Sequence, residues 1–324
     1  MVELALLKIL ADGKFHSGTD LGQYLSLSRS AIWKQMKELQ EFGVEVYSVR
    51  GRGYRIPKGL DLLDVDKLLG DSSPVVQQSL AHIELQTFTD STNLMALRNI
   101  QEYKHGALYL TEYQHNGRGR RGRTWLGPLA SNLYFSLMWR FSGGAAALEG
   151  LSLVVGLSIA QALIQQGING VELKWPNDLL YQNRKLAGIL LEMQGDASGD
   201  VSVVIGVGIN VRMSQESQHA KDITQPWVDL ASIADRDIDR NKLLAAVISK
   251  LLENLTLFAK SGFSGFIDDW QKMHAFQDSY VKLINGKNEI EGICRGVNTQ
   301  GALLLERNSK VEAYHGGEIS VRKL

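Results

Sequence analysis

The sequence predicts a multidomain α+β protein, and three observations predict it. The first 58 residues read helix, helix, turn, helix, hairpin, and strand-like runs then alternate with helical ones to about residue 270. The remainder breaks into short strand-like runs separated by Asn-Gly, Thr-Gln-Gly and Gly-Gly. A chain of 324 residues has room for about two domains and a small third. We set the expected boundaries at 1–62, 67–272 and 274–324.

In the first module an apolar helix runs to Leu10, Asp12-Gly13 turns the chain, and a second helix covers about Ser17 to Leu25. Ser28 suits the N-cap of a third helix, in which Ile32, Met36 and Leu39 recur at helical spacing before Gly43 closes it. VEVYSV and GYRIP then form a hairpin around Arg50-Gly51-Arg52-Gly53, completing the order of a winged helix-turn-helix. Residues 28 to 58 carry seven Lys and Arg against three Glu. On a helical wheel Ser30, Trp33, Lys34 and Lys37 share an arc opposite the apolar stripe, while Arg50, Arg52 and Arg55 lie on or beside the hairpin. With Arg29 at the helix start, Arg29, Ser30, Trp33, Lys34, Lys37 and Arg52 are the candidate DNA contacts: the helix for a major groove, the wing for phosphates. The same segment also reads as a small packing domain with a solvated basic face.

GLDLLDVDKLLG changes charge sign and marks a connector from Gly59 to about Asp66. AHIELQTF, ALYLTEYQ, NLYFSLMWRF, VELKW, KLAGILLEM and VSVVIGVGINV are the strands of a central mixed α/β domain. YVKLI, EIEGICRGV, ALLLE, KVEAY and ISVRKL predict a small C-terminal β-barrel. The uncharged stretch from Gly150 to Val171 is interrupted by Gln161, Gln165, Gln166, Asn169 and Ser, so it reads as a core helix rather than a membrane span.

Composition excludes several function classes. Thirty-five Lys and Arg balance 35 Asp and Glu, so a polyanion must be bound by local clusters. The single Cys294 excludes an intramolecular disulfide framework and reads as a buried, inert thiol in a reducing compartment. The N-terminus, with Glu3 and Lys8 in its apolar run, lacks the pattern of a secretory signal, and the expected location is the cytoplasm. No pair among the seven His has metal-helix spacing, and Cys-x-x-Cys, G-x-S-x-G and P-loop motifs are missing. No tightly bound metal or protein nucleophile is expected. What remains is nucleotide chemistry run by positioned cations, with a substrate as the nucleophile.

Three segments carry that chemistry. GRGRRGRTW, residues 117 to 125, lies in a stretch from 113 to 148 with five Arg and no acid. It matches G-x-G-x-x-G, but neither the following helix nor the later acid of a dinucleotide site is present. We read a Gly-jointed Arg loop that closes over a ligand, its guanidiniums on phosphate and Trp125 against a flat ring. KWPNDLLYQNRKLAG, residues 174 to 188, brings Lys174, Asp178 and Lys185 to one sheet edge. That is an arrangement for a Mg²⁺-nucleotide, although Pro-Asn-Asp alone is also an ordinary turn. FTDSTNLMAL sets Asp90, Ser91, Thr92 and Asn93 between strand and helix, where they either cap the helix or read a polar head group, with Gln114 facing the same place.

GRGRRGRTW, KWPNDLL, RKLAGILLE and GVGIN together resemble the biotin protein ligases over nearly the whole chain. With the winged helix in front and the barrel behind, the resemblance is to the bifunctional form that also represses the biotin operon. It implies a catalytic domain like that of class II synthetases, a C-terminal SH3-like barrel, and ATP, Mg²⁺ and biotin as substrates. It also implies a biotin carboxyl carrier protein as acceptor, operator DNA as partner and a homodimer when the adenylate is bound. By position it assigns Ser91, Thr92, Asn93, Gln114, Arg118, Gly119, Arg120 and Lys185 to biotin, with Lys185 and Arg120 catalytic. Arg120, Arg121, Trp125 and Asn177 go to ATP and Asp178 to magnesium. A lipoate-type ligase and a non-catalytic biotin-sensing repressor are the competing readings.

Overall fold

A computed structural model describes residues 2–103, 105–195, 199–213, 221–317 and 319–324. Helices α1 (Leu4–Leu10), α2 (Gly18–Leu25) and α3 (Arg29–Glu41) bury Leu6, Leu7, Leu10, Leu21, Ile32, Met36 and Leu39 against one another. Ser17 and Ser28 cap α2 and α3 by accepting the Asp20 and Ala31 amides, satisfying donors a helix start leaves open. The wing pairs β1 (Tyr47–Val49) with β2 (Gly53–Arg55), a shorter hairpin than VEVYSV predicts, because Val44 and Val46 turn into the core instead. Gly53, at φ +96°, has no room for a side chain: a Cβ would stand 2.0 Å from the His16 carbonyl.

The central sheet has seven strands in the order β3-β4-β5-β9-β8-β7-β6. They are β3 (His82–Thr89), β4 (Ala107–Gln114), β5 (Leu133–Phe141), β6 (Glu172–Lys174), β7 (Asp178–Tyr181), β8 (Arg184–Gly195) and β9 (Val201–Ile209), and only β3 and β4 run parallel. After the short α4 (Val65–Gly70) and α5 (Pro74–Ser79), α6 (Thr92–Arg98) crosses one face, packing Met95 and Ala96 on Tyr109, Met138 and Val204. The opposite face is covered by α7 (Leu151–Gln165) and, beyond the short α8 (Leu230–Ala234), by α9 (Arg240–Ser261). Helix α7 is the uncharged stretch of the sequence. It is buried on nearly every side, and its Ser158 and Gln161 both accept from Asn254 of α9, each at 2.9 Å.

After α10 (Ile267–Lys272) come β10 (Tyr280–Asn285), β11 (Asn288–Val297), β12 (Leu303–Arg307), β13 (Lys310–Tyr314) and β14 (Ser320–Lys323). They form an antiparallel sheet in the order β13-β12-β11-β10-β14. Its apolar side, including Val281, Cys294, Leu303 and Val321, joins the central core. Burial pushes the Cys294 thiol up to about 11, as expected of an inert thiol.

The winged helix is docked rather than tethered. Phe42 meets Phe88 and Tyr113 with ring centroids 4.9 Å apart, its carbonyl accepts the Leu129 amide, and Leu129 and Ala130 complete the winged-helix core.

Candidate functional site

The face of the sheet that carries α6 also carries a cavity of about 1120 Å³, and glycines in two neighbouring rungs make its floor. Ser136, Gly206 and Leu190 form one rung; Tyr134, Gly208 and Gly188 form the next on the same face, two residues along. A Cβ on Gly206 would stand 2.0 Å from Asn93 Oδ1, and one on Gly208 or Gly188 would stand 2.6 or 2.7 Å from the Trp125 indole. The glycines therefore let an amide and an aromatic plane lie directly on backbone, which explains the GVGIN run.

At one end lies a polar recess. Ser91, Thr92 and Asn93 are 2, 4 and 4% exposed, and no hydroxyl of Ser91 caps α6, so the capping reading falls. The Thr92 amide donates to Gln114 Oε1 at 2.9 Å. Asn93 Nδ2 donates to Glu192 at 2.8 Å, and Arg118 pairs with the other oxygen of that carboxylate at 3.0 Å. Asp90, behind the recess, is held below the usual carboxylate range: burial opposes this, but bonds from Arg98, the Ser91 amide and Thr89 prevail.

At the other end cations crowd around the Asp178 carboxylate. Lys185 pairs with Asp178 at 2.9 Å and stands 5.1 Å above the Trp125 ring. Its backbone is fixed by the Pro226 carbonyl and the Val228 amide, both at 2.9 Å. Burial draws the Lys174 ammonium below its ordinary value; Asp178 opposes this, while Lys185, Arg322 and Arg123 reinforce it. Asn177 makes no Asx turn. Its Nδ2 donates to the Ile189 carbonyl at 2.8 Å and its Oδ1 accepts from Arg120 at 2.9 Å.

The Arg loop is hydrogen-bonded to itself. Gly119 donates to Arg123 at 2.7 Å and Trp125 to Gly117 at 2.8 Å, so the loop is a closed hairpin. Arg120 extends from it to the carbonyls of Gly316, Gly317 and Ile319, locking it to the C-terminal sheet, and Arg121 points at Ser320. Of the residues expected at the site, Ser91, Thr92, Asn93, Gln114, Arg118, Gly119, Arg120, Arg121, Trp125, Asn177, Asp178 and Lys185 all line the one cavity. Sequence reasoning missed Ser136, Glu192, the residues 222 to 227 and, from β14, Arg322 and Lys323. The only local hint of the last two was a basic pair in ISVRKL.

The expected DNA contacts lie on a separate surface. Arg29, Ser30, Trp33, Lys34, Lys37 and Arg52 are all exposed, with Arg52 stacked 4.3 Å from the Phe15 ring centroid. Arg55 is different: its Nε donates to the Gly13 carbonyl at 2.6 Å, so it braces the wing.

Comparisons agree with this layout. Residues 2–55 match the HTH domain, 85–210 the biotin/lipoate A/B protein ligase family, and 279–322 the biotin protein ligase C terminal domain. The chain is 44% identical over 321 residues to the bifunctional ligase/repressor BirA of Salmonella typhimurium, covering 99% of this chain and 98% of that protein. It is 27% identical to the BirA of Bacillus subtilis, over 96% of this chain and 95% of that protein. Among solved structures, the Aquifex aeolicus biotin protein ligase in complex with biotin and ATP superposes with a TM-score of 0.64 at 29% identity. That match covers 76% of this chain and all of the other.

Proposed function

Because this chain belongs to the biotin protein ligase family, in its bifunctional ligase and repressor form, we propose how its residues divide the work. The protein is a biotin ligase that uses biotin and ATP and carries a repressor's DNA-binding module. In the first step a biotin carboxylate oxygen attacks the α-phosphorus of ATP and pyrophosphate leaves. In the second, a lysine amine of a biotin carboxyl carrier protein attacks the acyl carbon and AMP leaves.

The observation that carries this assignment is the union, in one cavity, of a buried neutral polar recess and a cationic cluster beside an indole. The recess of Ser91, Thr92, Asn93 and Gln114 suits a cyclic urea, which brings both N–H donors and a carbonyl acceptor. A lipoyl dithiolane brings neither, and each buried group it left unpaired would cost about 1–3 kcal/mol. Lys185 and Arg120, aided by Lys174 and Arg322, face the region where charge develops on the reacting phosphate. Trp125 offers its indole plane to the adenine, and Arg121 and Asn177 belong to the nucleotide. Arg118 and Gly119 close the recess over biotin. A purely sensory repressor would have no need of this cationic cluster.

A resident magnesium site does not fit. Asp178 is already paired with Lys185, and no group of three or more His, Cys, Asp or Glu that could hold a metal occurs among the described residues. Mg²⁺ would enter with the nucleotide, carried by its phosphates, and Asp178 would be the carboxylate to face it. The adenylate-loaded ligase pairs as a homodimer and sets two winged helices on a two-fold operator, two half-sites adding their contacts. Its place is the cytoplasm, where ATP, carrier and operator are found. Biotin-dependent ATP–pyrophosphate exchange by the purified protein tests the ligase reading: exchange with biotin and none with lipoate is expected, and exchange with neither would overturn it.

A further inference from the structure

The recess contains a hydrogen-bond chain whose direction is fixed from one end. Asn93 Nδ2 faces two acceptors, Glu192 Oε2 at 2.8 Å and the Leu190 carbonyl at 3.3 Å, so the amide nitrogen is on that side and Oδ1 on the other. Asn93 Oδ1 lies 2.6 Å from Ser136 Oγ, and a carbonyl only accepts, so Ser136 donates its one proton there. Ser136 Oγ also lies 2.8 Å from Thr92 Oγ1. With its own proton committed, Ser136 accepts, and Thr92 donates. The other partner within reach of the Thr92 proton, Gln114 Oε1 at 3.4 Å, is likewise an acceptor, since it takes the Thr92 amide. Either way the Thr92 proton points into the protein and its lone pairs face the cavity. Ser136 is fully buried, Glu192 is held in place by its pairing with Arg118 at 3.0 Å, and Gly206 leaves the space Asn93 occupies.

We infer that Glu192 and Ser136 are positioning residues that hold the Thr92 hydroxyl as an acceptor for a ring N–H of the substrate's cyclic urea, and so reject a ring atom that can only accept. The inference rests on the reading that biotin's ring occupies this recess. The chain begins at two acceptors, the Glu192 carboxylate and the Leu190 carbonyl, and every link inherits its direction from them. A site committed to an N–H leaves lone pair against lone pair when an oxygen replaces it.

The test uses the full-length enzyme in ATP–pyrophosphate exchange, with biotin and with the two cyclic carbamate analogues in which oxygen replaces one ring N–H. The unaltered enzyme should prefer biotin strongly over one of the two. Ser136→Ala frees the Thr92 proton to turn outward. It should raise the KM for biotin about tenfold, leave kcat and the KM for ATP within about twofold, and lower that preference about tenfold. Glu192→Gln leaves only the more distant Leu190 carbonyl to fix the Asn93 amide, so it should lower the preference in the same sense but by less than Ser136→Ala. A preference unchanged in both variants, with Thr92→Val still raising the KM for biotin, overturns the relay while leaving the recess assigned. A KM for biotin unaffected by Thr92→Val would show that biotin's ring lies elsewhere, and the inference would fall with that assignment.

Discussion

Glu112 and Arg240 form an ion pair of 2.8 Å with both side chains almost wholly buried, and between them they hold the connector that joins the winged helix to the ligase domain. Arg240 donates to the Asp61 and Asn132 carbonyls, its own amide donates to the Asp61 carboxylate, and Glu112 Oε1 accepts the Leu63 amide. Asn241 accepts the Asp64 amide and donates to the Leu62 carbonyl. The connector's polar backbone is thus satisfied by the ligase domain, which fixes the docking of the module ahead of it.

Glu112→Gln leaves the Arg240 charge buried without its counter-ion, a loss on the order of 3–5 kcal/mol. Denaturant unfolding should show the drop, and limited proteolysis should find faster cutting near residues 61 to 63. An unchanged midpoint would mean that Arg240 is adequately served by carbonyls alone.

This clamp shows where the sequence stops being legible. Element order and the central motifs could be read locally, because helical and strand periodicities alternate and the Arg loop, Pro-Asn-Asp and Asp-Ser-Thr-Asn stand out against a neutral chain. Asp61, Glu112, Asn132 and Arg240 have no such signature, since each is one polar residue in an ordinary context and only the folded chain brings them together. Ser136 and Glu192 were hidden for the same reason, as members of strands that alternate sides. The glycines at 188, 206 and 208 were visible as interruptions of strands, but what approaches them could not be told without the fold.

Gly208→Ala puts a methyl 2.6 Å from the Trp125 ring and forces the indole off its floor. We expect the KM for ATP to rise at least tenfold, the KM for biotin to change less, and stability to fall by about 1–3 kcal/mol from overpacking. Separate titrations of the two substrates would reveal an equal change in both, which would argue that Trp125 does not serve the nucleotide.

Lys185→Ala removes the ammonium held by Asp178 above Trp125 and should slow adenylation by on the order of 10²–10³. Because Asp178 then loses its partner, Lys185→Ala/Asp178→Asn is the control: it relieves the orphaned carboxylate without restoring rate. Single-turnover formation of the adenylate at near-normal speed would remove Lys185 from the chemistry.

Lys34→Ala should weaken operator binding and lower the slope of log affinity against log salt by about 0.9, the share of one phosphate contact. Trp33→Ala, on the same exposed arc, should change affinity with little effect on the slope, because an indole releases no counterion. Binding isotherms at several salt concentrations separate the two, and equal slopes in Lys34→Ala and the parent would take that lysine off the phosphate backbone.

His274 should make the protein acid-sensitive. It is 8% exposed, its ring packs 4.6 Å from Trp270, and its backbone bridges Leu173 where α10 passes into the C-terminal sheet. Burial presses it from 6.5 to about 4, and the hydrogen bond its Nδ1 gives to Gln277 Oε1 and the charge of Asp278 only partly oppose this. In the unfolded chain the imidazole takes its proton near 6.5, whereas in the folded protein it waits until about 4. Between those values the unfolded state binds more protons, so stability rises with pH across the window and is lost as pH falls. One such group accounts for about 2–3 kcal/mol between pH 6.5 and 4. His274→Gln removes that contribution, so the loss of stability from pH 7 to pH 5 in urea should be about 2 kcal/mol smaller than in the parent protein. Equal losses in both would mean that the imidazole titrates as it does in water, and that the seam between ligase domain and C-terminal sheet admits solvent.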